Sequence, residues 1–137
     1  KAQAVKEKHS DSIIITADTV VVLNDKIYGK AKDARDAFEM LKELSGHTHQ
    51  VMTSMCLMYQ DKHTTFTSIT DVEFYELKDE DIQKYIETGE AYDKAGAYGI
   101  QDIGSLFIKK IDGDYYTVMG LPVALLKCKL EAFIESI

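Results

Sequence analysis

An uncharged run broken by one carboxylate, Ile13-Ile14-Ile15-Thr16-Ala17-Asp18-Thr19-Val20-Val21-Val22-Leu23, constrains this chain more than any other segment. β-Branched residues dominate it, and they suit a pleated sheet better than a helix. With no alternation of polar and apolar positions, the run reads as a strand buried on both faces. Burial would make Asp18 conspicuous, because an ionised carboxylate without a partner either costs several kcal/mol or takes up a proton. A protein cation, a metal or a water-filled cleft at the strand's end must hold its charge. The plain structural alternative is a backbone or lysine partner, since perturbed carboxylates occur in both settings.

A chain of 137 residues suits one domain, and burial of about 68% of the unfolded surface is typical near that size. The net charge of −7, with its basic residues scattered, argues against DNA or RNA as a partner, because such binding rests on concentrated phosphate neutralisation. A small anion stays compatible, since a few lysines can converge locally. Cys56 and Cys128 sit among apolar neighbours and read as two buried thiols in a reducing cytosol. No signal-like or long apolar segment is seen, so no membrane partner is expected and the cytoplasm is the expected location. The opening Lys1-Ala2-Gln3-Ala4-Val5-Lys6-Glu7-Lys8 reads as the last turns of a helix, which leads us to expect a preceding segment.

Beyond the first strand, Asn24-Asp25-Lys26 marks a turn and Ile27-Tyr28 a short return. Asp33 is a good N-cap for a helix carrying Ala34, Ala37, Phe38, Leu41 and Leu44 on one face, and Gly46 stands where that helix should stop. Strands are predicted near residues 49–60 and 63–77, and a second helix from Asp79 to Gly89. Residues 90–104 follow neither period and contain Gly96, Gly99 and Gly104, so they read as a functional loop. Asp112-Gly113 predicts a hairpin between residues 105–111 and 114–118, and Pro122 suits the first turn of a terminal helix. This order favours an α/β or α+β fold with a mixed sheet.

Chemistry concentrates at three places: Asp18 with its neighbour Thr19, Gly29-Lys30, and Tyr92-Asp93-Lys94-Ala95-Gly96-Ala97-Tyr98-Gly99-Ile100-Gln101. Small residues in the third allow close backbone approach to a ligand, and the Gln101 amide offers both a donor and an acceptor. The bland readings are a solvated Lys30, turn glycines and a surface Gln101. His47, His49 and His63 lack zinc-site spacing and read as ordinary residues. No Ser/His/Asp or Cys/His arrangement and no P-loop is present. The residues by themselves support a small-anion site using one carboxylate and several lysines.

Five blocks in order resemble the Maf family of nucleoside triphosphate pyrophosphatases. They are Ala17-Asp18-Thr19-Val20-Val21, Gly29-Lys30, residues 44–53 (LSGHTHQVMT), residues 93–101 (DKAGAYGIQ) and residues 113–122 around Gly113-Asp114-Tyr115-Tyr116 and Val118-Met119-Gly120-Leu121-Pro122. The resemblance implies an α/β, Maf/ITPase-like fold: a mixed, twisted sheet flanked by helices, with a cleft between two lobes. It implies a single Maf-like domain over residues 1–137 and hydrolysis of a nucleoside triphosphate between its α and β phosphates, with Mg²⁺ or Mn²⁺ as cofactor. Asp18 matches the family's acidic base and would also help hold the metal. Lys30 and Lys1 match lysines that face the phosphates, and Asp93 and Lys94 fall in a block near the site. A homodimer is compatible with the resemblance.

Thr19 and Gln101 look like the branch acting on dTTP and UTP, with an uncharged amide to pair with a pyrimidine edge. The 7-methyl-GTP branch tends to have Gln at the first position and an acidic residue at the second, and it is the alternative within the family. The alternative outside catalysis is a nucleotide-binding regulatory module linked to septum formation. The family's opening Ser-x-Ser-x-Arg-Arg loop has no counterpart here. Ala31 stands where Pro is usual, and Asp102 where Gly often follows the glutamine.

Overall fold

A computed structural model describes residues 1–137. Helix α1 (Ala2–Lys6) leads into β1 (Ile14–Leu23), β2 (Lys26–Tyr28), α2 (Ala34–Leu44), β3 (Thr48–Tyr59) and β4 (Lys62–Phe74). Then come α3 (Asp79–Glu87), a 3₁₀ helix (Asp102–Phe107), β5 (Ile108–Asp112), α4 (Tyr115–Met119) and α5 (Val123–Ser136). The five strands form one sheet in the order β2-β1-β3-β4-β5. A helix-flanked sheet is as expected, but all four ladders are antiparallel where a mixture of orientations was anticipated. The reason lies in the connections: β1–β2 and β3–β4 are joined by two-residue turns, which reverse the chain. Asn24 and Asp25 both take positive φ, 50° and 66°, as such tight turns require.

Strand β3 alternates along its length, with His49, Val51, Thr53, Met55 and Leu57 buried on one face. Against that face α2 buries Ala37, Leu41 and Leu44, and α3 buries Ile82, Tyr85 and Ile86. The Asp33 carboxylate caps α2 by accepting from Asp36 N–H at 2.8 Å, and Gly46 follows the helix at φ +70°. Fifteen buried residues form this main core, and Ala2, Ile14 and Met58 form a smaller one beneath α1.

Three expectations are corrected here. Strand β1 is not buried on both faces: only Ile14 and Val21 are buried, Ile15 and Asp18 are exposed, and β2 pairs with it at Val21–Leu23 alone, so residues 14–20 also keep a free edge. The hairpin about Asp112-Gly113 does not form. β5 pairs with β4 instead, and residues 115–119 are helical because the Asp114 carboxylate caps them, accepting from Tyr116 N–H at 3.1 Å. Both cysteines are free, but neither is buried: Cys128 is exposed and Cys56 half-buried. Pro122 stands at the N-cap of α5. No helix is long and apolar enough to cross a membrane.

Candidate active site

Adjacent strand residues face opposite sides of a sheet, so Asp18 and Thr19 diverge although they are neighbours. Thr19 turns to the packed side, where its hydroxyl lies 2.8 Å from that of Thr53, its partner across the β1–β3 ladder. Asp18 lies on the free edge, where its Oδ1 accepts the Thr19 N–H at 3.1 Å. Lys1 Nζ is 3.6 Å from the same oxygen and donates to Ala17 O at 3.2 Å. The Asp18 side chain is 72% exposed. The anticipated buried charge is therefore a solvated one, held by water and a surface lysine. Such a pair contributes little stability, and it leaves the carboxylate free to meet a ligand.

Residues 93–102 form the facing wall. Lys30 pairs with Ala95 in an isolated antiparallel bridge, and Gly96 N–H donates to Gly29 O at 3.1 Å, which ties the Lys30 turn to this loop. The loop passes so close to β1 that a Cβ on Gly96, at φ +74°, would sit 2.9 Å from Val21 Cγ2. Asp93, Ala97 and Asp102 also take left-handed φ values of 67°, 65° and 56°. Non-glycine residues rarely hold such conformations without tertiary support, and they concentrate at ligand sites. Lys94 Nζ donates to Glu90 O at 3.0 Å, and its aliphatic stem runs beneath Gly99, where a Cβ would lie 2.8 Å from Lys94 Cε.

Between these walls and the end of α4 lies a cleft of about 290 Å³. Asp18, Thr19, Lys30, Asp93, Lys94 and Gln101 all line it, so six side chains singled out from the sequence share one space. Lys1 is not among the lining residues and reaches the site through Asp18. Tyr98, Val118, Met119 and Gly120 line it as well, although the sequence reading gave them no role, and so does Asp102, which stands where Gly often follows the glutamine. For Tyr98, Val118, Met119 and Gly120 the only signal was membership in the blocks of residues 93–101 and 113–122.

Beneath the cleft, His49 was read as an ordinary strand residue, yet it is 1% exposed. Its Nε2 shares a 2.6 Å hydrogen bond with the Tyr98 hydroxyl, while Nδ1 has no partner. Phe74 and Tyr98 meet the imidazole edge-on, with ring centroids 5.0 and 5.4 Å away. Burial lowers the His49 pKa to about 4 and raises that of Tyr98 well above its ordinary value, so both are neutral at pH 7. Alternation with Val51 and Thr53 was the available clue that His49 faces inward.

No three His, Cys, Asp or Glu side chains converge to form a metal cage. The cleft instead offers separate carboxylates, Asp18 among them. That set fits a cation such as Mg²⁺, which keeps several waters and takes one or two carboxylates plus substrate phosphates.

The family model described as "Maf-like protein" matches residues 1–133. The chain belongs to the Maf family. Its similarity to curated Maf proteins is high: it is 51% identical over 133 residues to a dTTP/UTP pyrophosphatase of Bacillus cytotoxicus, covering 97% of this chain and 70% of that protein. A dTTP/UTP pyrophosphatase of Halalkalibacterium halodurans is 47% identical over 124 residues, covering 90% and 65%. One from Bacillus velezensis is 48% identical over 133 residues, covering 97% and 70%.

Proposed function

We propose that this Maf chain is a nucleoside triphosphate pyrophosphatase acting on dTTP and UTP. The observation that carries this is one cleft lined by Asp18, Lys30, Lys94, Asp93, Thr19 and Gln101, in a chain about half identical to proteins of that name. Asp18 orients a water molecule and accepts its proton as the oxygen bonds to the α-phosphorus. The bond from the α-phosphorus to the oxygen bridging the β-phosphorus breaks, and pyrophosphate leaves with the electron pair. Lys30 and Lys94, with Lys1 at the rim, offset the charge that develops on the leaving group. Thr19 and Gln101 face the base.

Charge also supports a divalent cation. Lys30 and Lys94 are outnumbered in the lining by Asp18, Asp93 and Asp102, so a triphosphate enters a site without surplus positive charge. Asp18 is the side chain that would hold Mg²⁺ or Mn²⁺, which when bound supplies charge neutralisation at the phosphates. We place the enzyme in the cytoplasm, in the removal of unwanted nucleotides, with residues 1–137 belonging to a single Maf-like domain.

The test is pyrophosphate release from dTTP, UTP, CTP and 7-methyl-GTP with Mg²⁺ or Mn²⁺. Turnover of dTTP and UTP that Asp18→Asn lowers by about 10²–10⁴-fold is the expected result. Nucleotide binding without turnover in either form would replace the enzyme with a regulatory binding module, and a preference for 7-methyl-GTP would overturn the pyrimidine assignment.

A further inference from the structure

Thr53 lies in the third sequence block but has no role in the chemistry above. It is fully buried at the centre of β3, and its surroundings fix the direction of every hydrogen bond it makes. Thr53 Oγ1 donates to the Thr117 carbonyl at 2.9 Å, an oxygen that can only accept. A hydroxyl has one hydrogen, so Thr53 has none left for Thr19, 2.8 Å away on the other side. Thr19 must therefore be the donor in that pair. Its only hydrogen points into the sheet, and its oxygen turns nothing but lone pairs outward.

A second relay holds the acceptor in place. Thr117 Oγ1 donates to the Asp114 carboxylate at 3.1 Å, so the Ser68 hydroxyl, 2.7 Å from Thr117 Oγ1, is the donor there. Gly120 N–H also reaches Thr117 O, at 3.1 Å. Two oriented hydroxyl chains thus run from β1 and β4 into α4, and reversing either would leave two oxygens facing each other with no hydrogen between them: Thr53 Oγ1 and Thr117 O at 2.9 Å, or Thr117 Oγ1 and the Asp114 carboxylate at 3.1 Å. Space above Thr19 is kept by Gly120: a Cβ there would lie 3.5 Å from Thr19 Oγ1, and the residue sits at φ +109°. Thr19 lines the cleft, and toward it its hydroxyl oxygen is acceptor-only.

We propose that Thr53 is a positioning residue for base selection, forcing Thr19 to present an acceptor that fits the ring N–H of uracil or thymine and opposes the bare ring nitrogen of cytosine. This rests on the pyrimidine reading above. Thr53→Val removes the acceptor for Thr19, whose hydroxyl can then turn its hydrogen toward the cleft and meet the cytosine nitrogen. Thr53→Ser keeps the relay.

The experiment measures kcat/KM for UTP and CTP in wild type, Thr53→Val and Thr53→Ser. One neutral hydrogen bond gained or lost at the base makes the expected fall in the UTP/CTP ratio about tenfold in Thr53→Val, expressed in KM. Thr53→Ser restores the wild-type ratio. An unchanged ratio in a folded Thr53→Val protein, or an equal fall in Thr53→Ser, overturns the proposal. Hydroxyl-proton NMR of the wild type gives an answer even if the valine variant does not fold: the buried Thr53 proton should show its contact to Thr117, and a contact to Thr19 instead would refute the assigned direction. If wild type turns over neither UTP nor dTTP, the functional reading itself fails, which is a different result from an insensitive ratio.

Discussion

Acidification should destabilise this protein through His49, and by an amount the structure allows one to work out. The imidazole is 1% exposed and faces Phe74 and the neutral Tyr98 hydroxyl, with no carboxylate to stabilise a proton. Burial sets its folded pKa at about 4 against the ordinary 6.5. Below pH 6.5 the unfolded chain gains a proton that the folded chain refuses, so stability is complete above that pH and is lost as pH falls toward 4. Linkage gives a loss of about 1.4 kcal/mol by pH 5.5 and about 2.6 kcal/mol by pH 4.5, approaching ~3.4 kcal/mol below pH 4. Other groups titrate too, so the comparison is between wild type and His49→Gln, which can still hydrogen-bond Tyr98 but cannot be protonated. Urea unfolding of both at pH 7.5 and pH 4.5 isolates the histidine, because the remaining titrating groups are shared. Wild type should lose about 2.6 kcal/mol more than the variant over that interval. A flat difference, or a His49 ring proton titrating near pH 6.5 in NMR, would refute the reasoning.

The remaining predictions concern the cleft and the core. Asp18→Asn should lower kcat by about 10²–10⁴-fold with little change in melting temperature, since it removes a proton acceptor from an exposed position; a comparable loss in Tm would point to a structural role. Gly96→Ala should lower stability by about 1–3 kcal/mol in thermal or urea unfolding, because it combines a left-handed φ with a contact to Val21 at 2.9 Å. It should also raise KM by displacing the turn that carries Lys30. Leu44→Ala, at a fully buried position of α2, should cost about 2–5 kcal/mol in urea unfolding, and a cost below 1 kcal/mol would mean the α2–sheet interface is not close-packed.

Local rules in the chain decided most of the elements. Asp33 and Gly46 bound α2 as a cap and a stop should, the strands expected near residues 49–60 and 63–77 stand as β3 and β4, and the five ordered blocks marked the residues that meet in the cleft. These are properties of a few consecutive residues, and they survive without knowledge of neighbours. What lay beyond reach depended on partners distant in sequence. Whether the apolar run around Asp18 was buried depended on what packs on and beside β1, and there Ile15 and Asp18 are exposed and β2 pairs no further than Val21. Whether residues 114–118 made a strand or a helix was a contest between an Asp-Gly turn and an Asp114 cap, resolved where Thr70 and Ser68 hold the segment against β4. Burial and hydrogen-bond direction at His49, Thr53 and Thr19 arise only when β1, β3, α4 and the residue 93–102 loop are packed together. A side chain's neighbours, not its identity, determine whether it is charged, neutral, donor or acceptor.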